Sequence, residues 1–130
     1  MQLKTLDAAL TVCKVASFQD IDTTDGLFFI GQTDEELSLV CRTERTPPHT
    51  LAREDGWRGF RIEGELDFSL IGILSKITAV LAEERIGVFA VSTYNTDYIL
   101  VKADRLADAL AALQRAGYTV RDDTQGGTSC

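Results

Sequence analysis

The feature that most restricts this chain is a change of hydrophobic period that runs in a set order through residues 57–121. Residues 57–63 alternate weakly, with Trp57, Phe60 and Ile62 as the buried side, and predict a strand. Asp67 and Ser69 stand where capping side chains belong, and Ile71, Leu74, Ile77 and Leu81 then trace one face of a helix over 71–84. Gly87 follows, where a left-handed residue would end that helix. Residues 88–93 are β-branched and aromatic, 94–97 are turn formers, and 98–102 are β-rich again, which predicts a hairpin. Asp104 caps a second helix, in which Leu106, Ala109, Leu110 and Leu113 share a face until Gly117 stops it. Residues 118–121 supply a last short strand, and the polar stretch 122–130 predicts a flexible tail.

This order, β-α-β-β-α-β, predicts an α+β fold of ferredoxin-like type: a four-stranded antiparallel sheet with both helices on one face. The first half repeats part of it. Sliding the chain by 61 positions lays residues 28–33 over 89–94 and 37–40 over 98–101, so the hairpin is expected twice. Residues 3–15 would be the strand before the first hairpin, but 16–24 is too short and polar for a full helix. Pro47 and Pro48 argue against more than a turn of helix in 44–55, which reads as a linker. The expected organisation is a degenerate half over 1–56, a complete domain over 57–121 and a tail over 122–130.

Composition removes several functions. A net charge of -7 gives a field that repels phosphate backbones and anionic lipid, so no nucleic acid and no membrane is expected as a partner. No apolar run reaches the roughly 18–20 residues of a membrane span, and residues 1–15 lack the pattern of a signal peptide, so the chain reads as cytoplasmic. Cys13, Cys41 and Cys130 are odd in number and far apart, which suits neither a disulfide framework nor a zinc site. One histidine, His49, leaves little for acid–base chemistry. No catalytic residues, metal or cofactor are expected, and the chain reads as a non-enzyme.

The stretches Asp67-Phe68-Ser69-Leu70-Ile71-Gly72-Ile73-Leu74 and Ile86-Gly87-Val88, continuing through Ser92-Thr93-Tyr94-Asn95-Thr96-Asp97-Tyr98 to Val101, resemble the ACT domain. More narrowly, the chain is similar to tandem-ACT proteins related to aspartokinase regulatory regions and to cytosolic arginine sensors. The resemblance is strong over 57–120 and weak before it. It implies ACT units packed side by side, with amino acids bound where units meet and an allosteric role. ACT units often act through attached catalytic domains, but no glycine-rich nucleotide loop or kinase-like region fits this sequence. Gly87 stands where many amino-acid-binding members carry Asn.

The residues themselves suit a free amino acid. Backbone N–H groups from Ser69, Leu70, Ile71 and Gly72, at the start of a helix, would receive the carboxylate. Thr93, Asn95 and Asp97, with Tyr94 beside them, offer acceptors for the ammonium group. Gly87 and Val88 are candidates for the opposing wall, through backbone groups. Each has a structural reading as well: Ser69 as a cap, Gly72 as a site of tight packing, Asn95 and Asp97 as turn residues, and Tyr94 as a core or interface aromatic. The apolar Leu70 and Ile71 tilt the ligand towards small or apolar. Two functions stay open, an amino-acid-sensing regulatory homodimer and a structural or adaptor protein that assembles with a protein partner through its sheets.

Overall fold

The computed structural model describes residues 1–63 and 72–121 and confirms a mixed α+β fold. It divides into two compact units, Ala8–Trp57 and Met1–Asp7 with Arg58–Cys130. The boundary falls inside one strand, β5 (Ala52–Ile62).

From β5 onward the predicted order is observed: α1 (Ile73–Glu83), β6 (Phe89–Ser92), β7 (Asp97–Lys102), α2 (Leu106–Arg115) and β8 (Thr119–Arg121). One strand joins this unit that the sequence did not announce. β1 (Gln2–Thr5) pairs antiparallel with β5, Leu3 opposite Ile62, and parallel with β8, Leu3 opposite Val120. The sheet order is therefore β8-β1-β5-β7-β6. The single strand expected over 3–15 is two strands, separated at residues 6–9. Pairing between residues so remote in sequence leaves no local periodicity to read.

Leu3, Phe60, Ile62, Ile99 and Val101 from the strands form one buried cluster with Ile77 and Leu81 of α1 and Ala109 and Leu113 of α2. Of the apolar faces predicted for the helices, Ile77, Leu81, Ala109 and Leu113 are buried and Leu74, Leu106 and Leu110 pack against them, while Ile71 lies outside the described residues. Burying a side chain such as Leu113, fully enclosed, is worth about 1.5–3 kcal/mol, which outweighs the weak intrinsic stability of helices this short.

Both helices end in the same hydrogen-bond pattern. In α2, Gly117 is left-handed (φ 104) and donates to Gln114 O, while Tyr118 N donates to Leu113 O at 3.0 Å. In α1 the left-handed residue is Arg85 (φ 57): its N–H reaches Ala82 O, and Ile86 N reaches Leu81 O, both at 3.0 Å. Gly87, expected to end the helix, is not in the left-handed region. The reason is packing, because this ending drops Ile86 onto Leu81 in the core. The Arg105 guanidinium completes the end of α1 by donating to Glu84 O at 3.1 Å and Arg85 O at 3.4 Å. Asp104 is not the cap of α2; a 3-10 turn (Ala103–Arg105) precedes the helix and no side chain caps it.

The Ala8–Trp57 unit is an antiparallel sheet ordered β3-β4-β2-β5, built from β2 (Leu10–Lys14), β3 (Phe28–Gln32), β4 (Leu37–Arg42) and the first part of β5. No α-helix occurs among its residues; 16–24 holds one 3-10 turn (Phe18–Asp20), in line with its polar sequence. The core here is Cys13, Val15, Ile21, Leu37, Leu39 and Cys41. β5 begins five residues earlier than the sequence predicts, at Ala52 in place of Trp57, because Ala52, Arg53 and Glu54 pair with Lys14, Cys13 and Val12. Charged residues with no alternation carry no strand signal, and the ladder supplies the order instead.

The two hairpins correspond closely, with a shift of 60 and not 61. β4 starts at Leu37 and β7 at Asp97; each is followed by a 3-10 turn, Thr43–Arg45 and Ala103–Arg105. Phe29 faces Val40 as Phe89 faces Leu100. The sequence match laid Phe28 on Phe89, and a slip of one residue exchanges the two faces of a strand. In the corrected frame Arg45 corresponds to Arg105. Both tie down the segment before their hairpin, Arg45 through Asp22 Oδ2 at 2.8 Å. Arg42 adds a second tie to Asp25 at 3.1 Å.

The shared helix ending makes opposite predictions for its two left-handed residues. Arg85→Gly is expected to stabilise the protein by about 0.5 kcal/mol, and Gly117→Ala to destabilise it by about 1 kcal/mol. Urea unfolding at equilibrium measures both; equal effects of the two substitutions would contradict this account of the helix ends.

Candidate ligand-binding site

Of the residues proposed from sequence, Ser69, Leu70 and Ile71 lie outside the described residues. Gly72 stands at the N-cap of α1 with φ 81, and its carbonyl accepts from Lys76 N at 2.9 Å. A side chain there would meet nothing within 4 Å. Glycine is therefore required for backbone conformation and not, as one reading had it, for tight packing.

Thr93, Tyr94, Asn95 and Asp97 come together on the turn between β6 and β7. Thr93 N donates to Thr96 O at 2.8 Å, and the Thr93 hydroxyl donates to the same carbonyl at 3.1 Å. Ser92 and Asp97 face each other in the ladder, and Ser92 Oγ donates to Asp97 Oδ1 at 2.5 Å. Two of the proposed acceptors thus already have bonds within the hairpin. Tyr94 is 78% exposed at the tip, so it is not a core residue of the unit, and Asn95 is exposed beside it.

The residue that sequence reasoning missed is Thr96. Buried in the turn, its hydroxyl donates to Ile62 O at 2.7 Å and anchors the hairpin to the end of β5. A threonine inside a turn-forming run gives no sign of such a tie, because the partner is 34 residues away. Gly87 and Val88 are exposed and stand at the opposite end of β6 from Thr93, with the strand, about 13 Å long, between them. Within one chain, β6 holds them apart from the turn.

The other unit carries the cavity that the sequence did not point to. A cleft of about 760 Å³ is bounded by residues 14–19, 32–37 and Leu51. It occupies the place in its unit that the β6–β7 turn occupies in the other, at the tip of the corresponding hairpin. Thr33 repeats the role of Thr93: its N–H donates to Glu36 O at 2.9 Å, and its hydroxyl accepts from Glu35 N at 3.1 Å and Glu36 N at 3.2 Å. Ser38 Oγ donates to Glu36 Oε1 at 2.7 Å. The opposite wall is held by Ser17, whose hydroxyl accepts from Gln19 N. Backbone bonds from Val15 N to Leu37 O and from Leu51 N to Lys14 O join the walls at 3.0 and 2.7 Å. The signal that would have found it is the 60-residue frame, which superposes residues 33–36 on 93–96.

The buried thiols of Cys13 and Cys41 are the remaining reactive groups of this unit. Burial, helped by the neighbouring Cys41, pushes the Cys13 thiol up from 9.0 to about 11. Burial also raises the Cys41 thiol. Both are protonated at neutral pH, which suits packing and not nucleophilic attack. No cluster of three or more metal-ligating side chains occurs among the described residues, and no helix among them is long and apolar enough to cross a membrane.

Residues 52–115 match the family model of the ACT domain, from the start of β5 to the end of α2. The cytosolic arginine sensors for mTORC1, subunit 1, of Homo sapiens and Bos taurus are each 38% identical to this chain over 60 residues. That stretch is 45% of this chain and 18% of each sensor, so the chain spans less than a fifth of those relatives. Among solved structures, a protein of Agobacterium tumefaciens superposes with a TM-score of 0.82 at 29% identity, covering 93% of this chain and 92% of that one. Aspartokinase alpha and beta subunits superpose at 0.60 with 13% identity over 89% of this chain and 97% of theirs, a likeness of fold. Over residues 52–115, just under half of the chain, the sequence therefore matches the ACT domain, a family of regulatory amino-acid-binding modules.

Proposed function

We propose that this protein is an amino-acid sensor that works as a cytoplasmic homodimer and regulates a protein partner. The observation that carries the reading is the ACT match together with the exposed polar turn at the tip of its hairpin. In this reading the Ala8–Trp57 unit is a reduced second copy of the domain, represented by its hairpin and the 3-10 turn after it. Sheets of two copies pack side by side, and the ligand sits where ACT units meet.

The site combines the start of α1, at Ser69, Leu70, Ile71 and Gly72, with Thr93, Tyr94, Asn95 and Asp97 on the turn. Gly87 and Val88, held away from that turn within one chain, close the site from a neighbouring unit. One Asp97 oxygen receives Ser92, and the carboxylate's charge remains available to an ammonium group. The printed name of the relatives makes arginine one of the amino acids to test.

A second reading, a structural or adaptor protein, is favoured by one specific observation. Thr93 and Asp97 are both engaged inside the hairpin, as a turn with no ligand would require. Thermal unfolding of the whole chain with each common amino acid at millimolar concentration separates the two. A ligand at 100 times its dissociation constant adds about 2.7 kcal/mol, which raises the midpoint by several degrees. The expected result is a rise with one or a few amino acids that Asp97→Asn abolishes, in a protein that sediments as a dimer. A flat response to all of them would transfer the assignment to the adaptor reading.

The thiols supply a separate expectation. Native Cys13 and Cys41 should react with iodoacetamide at pH 7.5 far more slowly than in urea; rapid native labelling would reopen a catalytic reading. Because the folded Cys13 thiol ionises near 11 and the unfolded one near 9.0, the folded state holds the proton more tightly. Its contribution to stability is complete below about pH 9 and is lost as pH rises towards 11. Urea midpoints across that range should fall less steeply in Cys13→Ala.

A further inference from the structure

We infer that Asp25 is a site of spontaneous backbone modification, where the folded chain converts aspartate to isoaspartate through a cyclic imide closed on Gly26. The sequence holds two Asp-Gly pairs, Asp25-Gly26 and Asp55-Gly56, and the fold treats them differently.

The reaction is a condensation followed by a hydrolysis. The Gly26 amide nitrogen attacks Asp25 Cγ, an N–C bond forms, and the carboxyl hydroxyl leaves with the amide hydrogen as one water. Water then adds back to either carbonyl of the ring. Breaking the new N–Cγ bond restores aspartate, whereas breaking the original bond from Gly26 N to the Asp25 main-chain carbonyl leaves the backbone running through Cγ, as isoaspartate. Neither step needs an oxidant, a reductant or a cofactor. Glycine in second place favours ring closure, because no side chain crowds the attacking nitrogen and the backbone turns easily.

The first pair is open to this chemistry. Residues 22–27 belong to no helix or strand, and Gly26 is exposed. Among the described residues the Gly26 N–H has no hydrogen-bond acceptor, so no ladder holds the nucleophile in place. The Asp25 carboxylate is restrained by a single ion pair, to Arg42 Nε at 3.1 Å. The second pair is held at every point. Asp55 and Gly56 lie inside β5, between Glu54, which faces Val12, and Trp57, which faces Leu10. The Asp55 carboxylate accepts from Thr11 Oγ1 at 2.8 Å and from Arg53 Nε and Nη2 at 2.8 and 3.2 Å. Closing a ring there has to break these bonds and open the strand, which costs a local unfolding that the loop at Asp25 does not require. Isomerisation at Asp25 adds one carbon to the main chain between the Asp22–Arg45 tie and the start of β3, and displaces the carboxylate that Arg42 holds.

The test incubates the whole chain for several weeks at physiological temperature and pH, then maps isoaspartate in tryptic peptides by fragmentation mass spectrometry and by labelling with an isoaspartyl-specific methyltransferase. Trypsin separates the two pairs, into residues 15–42 and 54–58. Isoaspartate is expected in the first peptide and at least about tenfold less in the second. In chain unfolded with guanidinium, both peptides should acquire it. Gly26→Ala, at a position where an added methyl group meets nothing within 4 Å, should reduce the signal in 15–42 several-fold at an unchanged thermal midpoint, which assigns that signal to Asp25 over Asp20, Asp22 and Asp34 of the same peptide. Absence of isoaspartate from 15–42 of the folded chain, equal yields in its two peptides, or a signal undiminished by Gly26→Ala would overturn the proposal.

Discussion

The C-terminal unit depends on the insertion of β1 between β5 and β8. Leu3, with no exposed surface, is a member of its core, and among the described residues β1 is the only strand paired with β8. Thr5 is equally buried and belongs to the same strand. The matched ACT segment, 52–115, contains neither β1 nor β8, so the domain's sheet is completed by strands on both sides of the recognised stretch. A buried central strand also makes its own backbone hydrogen bonds on both edges, which leaves few N–H and C=O groups without partners at the middle of the sheet.

The same hairpin carries different side chains in the two units. Its frame is set by a threonine whose hydroxyl and N–H bind within the turn, and by an arginine 12 residues on, Arg45 or Arg105, that fastens the segment before the hairpin. These groups are structural and recur. The positions after the threonine differ in charge: carboxylates at 34–36 and a neutral Tyr-Asn-Thr at 94–96. In the C-terminal unit the last of these, Thr96, is drawn into the core to bind Ile62 O; in the other unit Glu36 remains exposed. One backbone solution therefore presents a tethered neutral turn in one place and an acidic cleft wall in the other.

Much of the C-terminal fold was legible because its signals are local. The apolar faces of α1 and α2, the β6–β7 hairpin and the stop at Gly117 depend on contacts between near neighbours in sequence, whose periods of 3.6 and 2 survive in the residue pattern. The turn residues Thr93, Asn95 and Asp97 were legible as a group for the same reason. Less visible were the helix end at Arg85, where burial of Ile86 overrides the preference for glycine, and the extension of β5 back to Ala52, where pairing overrides composition. The cleft escaped notice because a frame wrong by one residue set Thr33 against Tyr94 and hid the shared turn.

By itself, then, the sequence determined the element order after residue 57, most of the positions that would be buried and the resemblance to the ACT domain. Tertiary structure alone decided that residues 2–5 pair between β5 and β8, that the two hairpins correspond at a shift of 60, and that a cleft opens at the first hairpin. The division has one physical cause. Helical and strand periodicity arise from interactions a few residues apart, whereas strand insertion and cavity shape arise from contacts between residues such as Leu3 and Ile62, whose free energy is realised only when the chain has closed the loop between them.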